Sequence, residues 1–112
     1  MTDCLFCKIA SGAIQSDVVY QDDSLLAFRD IHPQAPIHVL IIPKQHIESL
    51  NGLDDAVVAG QLLLTAGKLA EQLGCAEQGY RTVFNTNDDG GQTVHHLHMH
   101  LLAGRQMKWP PG

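Results

Sequence analysis

The sequence predicts an α+β fold, a mostly antiparallel sheet of about five strands with one long and one short helix. Three observations predict it. Short apolar or β-branched runs bounded by Asp, Asn, Gly or Pro recur along the chain. Only residues 53–73 hold a long helical apolar period. The chain has 112 residues, 45% of them hydrophobic, which suits a single domain spanning 1–112 and argues against disorder.

Each element has its own signal. Residues 4–10 read as a short helix closed by Ser11-Gly12. Residues 18–21 and 25–29 read as strands joined by a turn at Asp22-Asp23. Pro33 and Pro36 bracket a loop, and residues 38–42 form a third strand, apolar on both faces and therefore central. In 53–73, Val58, Leu62, Ala66, Leu69 and Leu73 make one helical stripe. Asp54 or Asp55 suits the first turn and Gly74 the C-terminal cap. A second stripe, Leu53, Val57, Gly60, Leu64 and Gly67, lies opposite. Two interior glycines on an apolar stripe cost helix stability and suggest close packing on another backbone, so this face is expected to form an oligomer interface, the alternative being that both stripes pack within the monomer. Residues 80–86 make a fourth strand, 87–91 a turn rich in Asn, Asp and Gly, and 95–103 a fifth strand. An irregular tail, 104–112, ends in Trp109-Pro110-Pro111-Gly112.

Composition narrows the function. The net charge of −5 disfavours a dedicated binder of nucleic acid polymers, although a local pocket can still take a small anion. No membrane span and no signal peptide are visible, and three cysteines do not make a secreted disulfide framework. A cytoplasmic location is the expectation.

The chemistry concentrates in Thr93-Val94-His95-His96-Leu97-His98-Met99-His100-Leu101. In a strand, His96, His98 and His100 share one face, with Leu97, Met99 and Leu101 turned to the core. Neighbouring same-face residues lie roughly 7 Å apart, so one ion bound by all three imidazoles is awkward. A catalytic row for phosphoryl chemistry fits better, because neutral imidazole is a competent nucleophile with a pKa near working pH. A second imidazole or the Thr93 hydroxyl would hold phosphate oxygens or protonate the leaving group. The preceding Asp89-Gly90-Gly91-Gln92 offers small residues and amide donors near the phosphate.

His96-Leu97-His98-Met99-His100-Leu101-Leu102 resembles the signature of the histidine-triad (HIT) superfamily, His-φ-His-φ-His-φ-φ with φ apolar. Residues 28–36, 42–46, Asn85 with 90–94, and the tail 104–112 resemble its Hint branch. The resemblance covers nearly the whole chain. It implies a homodimeric purine nucleoside phosphoramidase that splits the P–N bond of nucleoside 5′-phosphoramidates, lysyl-AMP among them, and needs no cofactor for the chemistry. By position, His98 would be the nucleophile that forms a nucleotidyl-histidine. His100, Thr93 and the Gln92 region would hold the α-phosphate, and His96 completes the catalytic row. Asp30 would bind the ribose hydroxyls. Phe6, Ile9, Phe28 and Ile31 would sandwich the base, flanked by Arg29 and Val94, with Asn85 on the phosphate or ribose side. Trp109 would reach the partner subunit's site. The sequence departs from the common pattern at His95, often aromatic, at Arg29, where some members carry His, and at Thr93, where Ser is frequent. The departures bear on substrate preference. Alternatives are a dinucleoside polyphosphate hydrolase of the Fhit type, a non-catalytic nucleotide-binding or interaction module, and, more weakly, a metal-dependent hydrolase.

Cys4-Leu5-Phe6-Cys7 is half of a zinc site. By likeness to bacterial HIT proteins and related nucleotidyltransferases, Cys4, Cys7, His46 and His96 would bind a structural Zn²⁺ and leave His98 free. The other reading is a pair of buried free thiols. Cys75 reads as a lone thiol.

Overall fold

The computed structural model describes residues 3–112. Five strands form one fully antiparallel sheet: β1 (Val18–Gln21), β2 (Leu25–Arg29), β3 (Ile37–Pro43), β4 (Tyr80–Val83) and β5 (Met99–Ala103), in the spatial order β1-β2-β3-β5-β4. The predicted α+β sheet is therefore present, with β3 at its centre.

Strand alternation sends side chains to two different cores. On one side Leu25, Ala27, Val39, Ile41, Met99 and Leu101 meet the long helix α2 (Ala56–Gln72) through Leu62, Ala66 and Leu69. On the other side Leu26, Phe28, Leu40 and Ile42 meet Phe6 of the short helix α1 (Leu5–Ala10). Both faces of β3 are covered, as its unbroken apolar run requires.

Helix α2 starts where its cap says. The Asp55 carboxylate accepts hydrogen bonds from the amides of Val57 and Val58. Gly74, at φ +77°, closes the far end, with its amide donating to Glu71 and that of Cys75 to Ala70. The first stripe packs on the sheet. The middle of the second stays open: Val57 is 67% and Leu64 68% exposed, and nothing lies against Gly60, while Leu53 packs on the core and Gly67 lies beside Tyr80. No helix among the described residues is long and apolar enough to cross a membrane.

Three predicted boundaries move. The fourth strand stops at Val83, and residues 87–91 form one helical turn, α3 (Asn87–Gly90), capped by Gly91 at φ +78°. The fifth strand begins at Met99 rather than 95. Residues 94–98 leave the ladder because their polar groups are engaged elsewhere. The Leu97 amide donates to the Ile47 carbonyl at 2.6 Å, and the His98 ring bonds back to the His96 carbonyl.

The tail braces the loop between β2 and β3. Gly104 has φ +94°, and a Cβ there would sit 2.8 Å from the Pro36 ring. Arg105 Nε donates to the Gln34 carbonyl at 3.0 Å. Gly104→Ala should therefore cost about 1–3 kcal/mol through backbone strain and displacement of Pro36, read as a lowered melting temperature.

Candidate active site

A pocket of about 620 Å³ opens on the α1 side of the sheet, within the range of small-molecule sites. Phe6 and Ile9 of α1 and Phe28 of β2 give it an apolar wall, continued by Leu40 and Val94. Arg29 at the end of β2 and Asp30 and Ile31 of the loop that follows also line it, together with Thr93, His98 and His100. Phe6 stands edge-on to Phe28 and His98, with centroids at 5.5 and 5.1 Å.

The three triad histidines do not form a single row. His98 and His100 face each other in the pocket, with ring centroids 4.9 Å apart. The His96 ring is fully buried and turned toward the thiols of Cys4 and Cys7, because the chain at 94–98 is not a strand. Leu97, Met99 and Leu101 do point into the core.

Backbone groups fix the proton positions. The His98 Nδ1–H donates to the His96 carbonyl at 2.7 Å, which leaves its Nε2 with a free lone pair. The Gln34 amide donates to His38 Nδ1 at 3.0 Å, so a neutral His38 carries its proton on Nε2. That N–H faces His100 Nδ1 at 2.9 Å, with an Asp30 carboxylate oxygen at 3.5 Å. His100 Nδ1 therefore accepts, and its proton sits on Nε2. This Nε2 is buried and has no partner among the described residues. The pocket thus presents a lone pair on His98 beside an unpartnered N–H on His100.

Burial keeps these rings neutral. It pushes His38 and His98 down, with Asp30 opposing in both, and the His96 carbonyl also opposing at His98. His100 falls to about 4, chiefly by burial and then through His98 and His38. The unfolded chain takes up a proton below about pH 6.5 that folded His100 refuses until about 4. Stability is therefore undiminished above 6.5 and declines as pH falls through that window. The loss is on the order of 1–2 kcal/mol after discounting for solvent screening of a partly exposed ring. Melting curves of wild type and His100→Asn at pH 7 and 4.5 should show the wild type losing more.

Other predicted residues take different places. One Asp30 oxygen accepts from the His32 amide at 2.8 Å and caps that turn. Gln92 is buried and lies outside the pocket lining. Its amide donates to the Glu48 and Val94 carbonyls, and its oxygen accepts from the Asn87 amide. Asn85 also lies off the lining, with its backbone against Gly90. Trp109 is 82% exposed beneath Arg81 and is not among the residues lining the pocket. Sequence reasoning missed His38, Gln34 and, at the rim, Gln15 and Ser16. A titratable residue in a run otherwise apolar was the available signal for His38.

A second cluster lies on the far side of Phe6. Cys4, Cys7, His46 and His96 bring four ligand atoms within 4.8 Å of one another. His96 Nδ1 is 3.3 and 3.5 Å from the two sulfurs, and His46 Nδ1 is 3.3 Å from Cys7 Sγ. A tetrahedral zinc with ordinary bond lengths would set S···N edges near ~3.6 Å. The His96 Nε2–H donates to the Pro43 carbonyl at 2.7 Å, leaving Nδ1 free to ligate, an arrangement common at metal-bound histidines. Burial, and then the Cys4 thiol, push the Cys7 thiol up, which disfavours a free nucleophilic thiolate, and ligation would have to displace that proton.

Comparison with known proteins follows the same geometry. The HIT domain model matches residues 11–107. The chain belongs to the histidine-triad family. This HIT protein is 50% identical to the purine nucleoside phosphoramidase of Escherichia coli K12, over 94% of this chain and 90% of that one. It is 54% identical to an uncharacterised HIT-like protein of Synechococcus elongatus, over 98% and 97% of the two chains. Its fold matches the crystal structure of a HIT family hydrolase from Legionella pneumophila with a TM-score of 0.95 at 56% identity, covering 98% of this chain and all of that one.

Proposed function

We propose that this HIT protein hydrolyses the P–N bond of purine nucleoside 5′-phosphoramidates through a nucleotidyl-His98 intermediate. The observation that carries the reading is the fixed pair of proton positions, a lone pair on His98 Nε2 and an unpartnered N–H on His100, on rings whose centroids lie 4.9 Å apart. The E. coli relative supports the substrate class.

The base fits between Phe6, Ile9, Phe28 and Ile31, with Arg29 and Val94 at its margin, and the Asp30 carboxylate, through the oxygen that faces His38, takes ribose hydroxyls. The α-phosphate lies between His98 and His100, and Thr93 adds a hydroxyl. His98 Nε2 attacks phosphorus, the Nε2–P bond forms and the P–N bond breaks. The amine leaves carrying one additional proton, taken from solvent. Water then forms the new O–P bond, frees His98 and restores that proton. His100 Nε2–H holds a phosphate oxygen through both steps, where a fixed donor in a dry pocket is most effective.

The open stripe of α2, with Val57, Gly60 and Leu64, supports a homodimer. In that assembly Trp109 would act on the partner's site. The Cys4, Cys7, His46 and His96 set would hold a structural Zn²⁺. These four residues are not among those lining the pocket, so an ion held by them would take no part in the bond changes.

Comparing turnover of adenosine 5′-phosphoramidate with that of diadenosine polyphosphates tests the reading. Preference for the phosphoramidate, undiminished by a chelator over the assay, is expected. Preference for the polyphosphate would point to Fhit-type chemistry, and AMP binding without either turnover to a binding module.

A further inference from the structure

We propose that the Cys4-Cys7-His46-His96 centre is a positioning device for the nucleophile, in which metal occupancy fixes the His98 ring through the peptide group of His96. The inference rests on the reading of His98 and of the metal centre given above.

His96 joins both sites within a single residue. Its Nδ1 faces the thiols of Cys4 and Cys7. Its Nε2–H donates to the Pro43 carbonyl, at the end of β3. Its own carbonyl accepts the His98 Nδ1–H at 2.7 Å. A ligated imidazole cannot rotate about its side-chain bonds, and the Pro43 contact fixes its other edge, so the His96 peptide is held at both ends. That carbonyl decides which nitrogen of His98 carries the proton and therefore which one attacks.

Two neighbouring contacts reinforce the route. The Leu97 amide donates to the Ile47 carbonyl at 2.6 Å, tying the segment after His96 to the segment after His46. Phe6, between the two cysteines in sequence, packs edge-on against His96 at 6.0 Å and His98 at 5.1 Å. Loss of one ligand therefore loosens the acceptor, the segment and the ring beside the nucleophile together. A staple serving stability alone would need none of these contacts to reach His98.

His46→Gln is the informative variant, because His46 lies outside the pocket lining and its ring meets the route at Cys7 and His96. The full-length chain would be examined with zinc loaded, after chelation, and as His46→Gln. Metal content, the nitrogen NMR signals of the His98 ring, and kcat and KM on adenosine 5′-phosphoramidate would be read together. The loaded wild type is expected to show one His98 tautomer, protonated at Nδ1. Chelation or His46→Gln should give a mixture of tautomers and a kcat lower by about ten-fold or more, with a smaller change in KM, and zinc should restore the chelated chain. Leu69→Ala, in the core on the opposite face of the sheet, supplies a comparably destabilised control that should keep the single tautomer. A folded, metal-free chain with an unchanged His98 signal and kcat would overturn the proposal. So would the same loss of signal in Leu69→Ala. The NMR readout needs no turnover, so a loaded chain that fails to cleave the phosphoramidate would count against the proposed reaction and still leave this inference tested.

Discussion

His98→Ala should lower phosphoramidate turnover by about 10⁴-fold or more while leaving AMP binding within a few-fold of wild type. The reasoning is that of any covalent nucleophile: without it, the remaining donors hold the phosphate but no protein atom attacks phosphorus. Most of the binding surface remains, because the Phe6, Ile9 and Phe28 wall and Asp30 are supplied by other elements. The measurement is steady-state turnover beside calorimetric AMP affinity. Joint loss of both would mean that the substitution collapsed the pocket, and retained turnover would remove His98 from the chemistry.

His38→Phe should lower kcat by about 10–100-fold with a smaller effect on KM, the range typical of groups that orient a functional imidazole. His38 is 5% exposed and holds His100 Nδ1 at 2.9 Å. Phenylalanine fills the volume but donates nothing, so His100 can place its proton on Nδ1 and lose the N–H that faces the phosphate. It also leaves the Gln34 amide and His100 Nδ1 unpaired, which costs about 1–3 kcal/mol of stability. His38→Gln supplies both an acceptor and a donor and should recover part of kcat. A purely structural role would track the melting temperature in both variants and show no such recovery.

Much of this was legible in the sequence because local rules and tertiary structure agree. The β3 run is apolar at both parities, and the strand is covered on both faces. Asp55 and Gly74 cap α2 as their side chain and backbone freedom dictate. Residues 95–98 were misread for a physical reason. Alternation of His with apolar residues looks the same whether the segment joins the ladder or bonds to Ile47 and to itself. Only distant partners decide, and Cys4 is 92 residues away from His96 in sequence. His38 was hidden by its apolar neighbours, although a buried titratable group demands a partner. The placements of Asn85 and Trp109 followed from family likeness alone, and that of Gln92 also from the amide donors that precede the triad. Of these, Gln92 spends its whole amide on the loop that presents Thr93 and Val94.

The open face of α2 was legible for a related reason. Val57, Gly60 and Leu64 on one stripe have no use on a solvated helix; Val57 and Leu64 stay exposed and nothing lies against Gly60, whereas Leu53 packs on the core and Gly67 lies beside Tyr80 of β4.

The central claim is that phosphorus is transferred twice, first to His98 and then to water. Each in-line displacement inverts the configuration at phosphorus, so the stereochemical course counts the steps. The measurement is hydrolysis of an adenosine phosphoramidate made chiral at phosphorus by sulfur, in isotopically labelled water, with the configuration of the product determined. Two displacements through His98 give overall retention. Overall inversion would mean direct attack by water and would contradict the account.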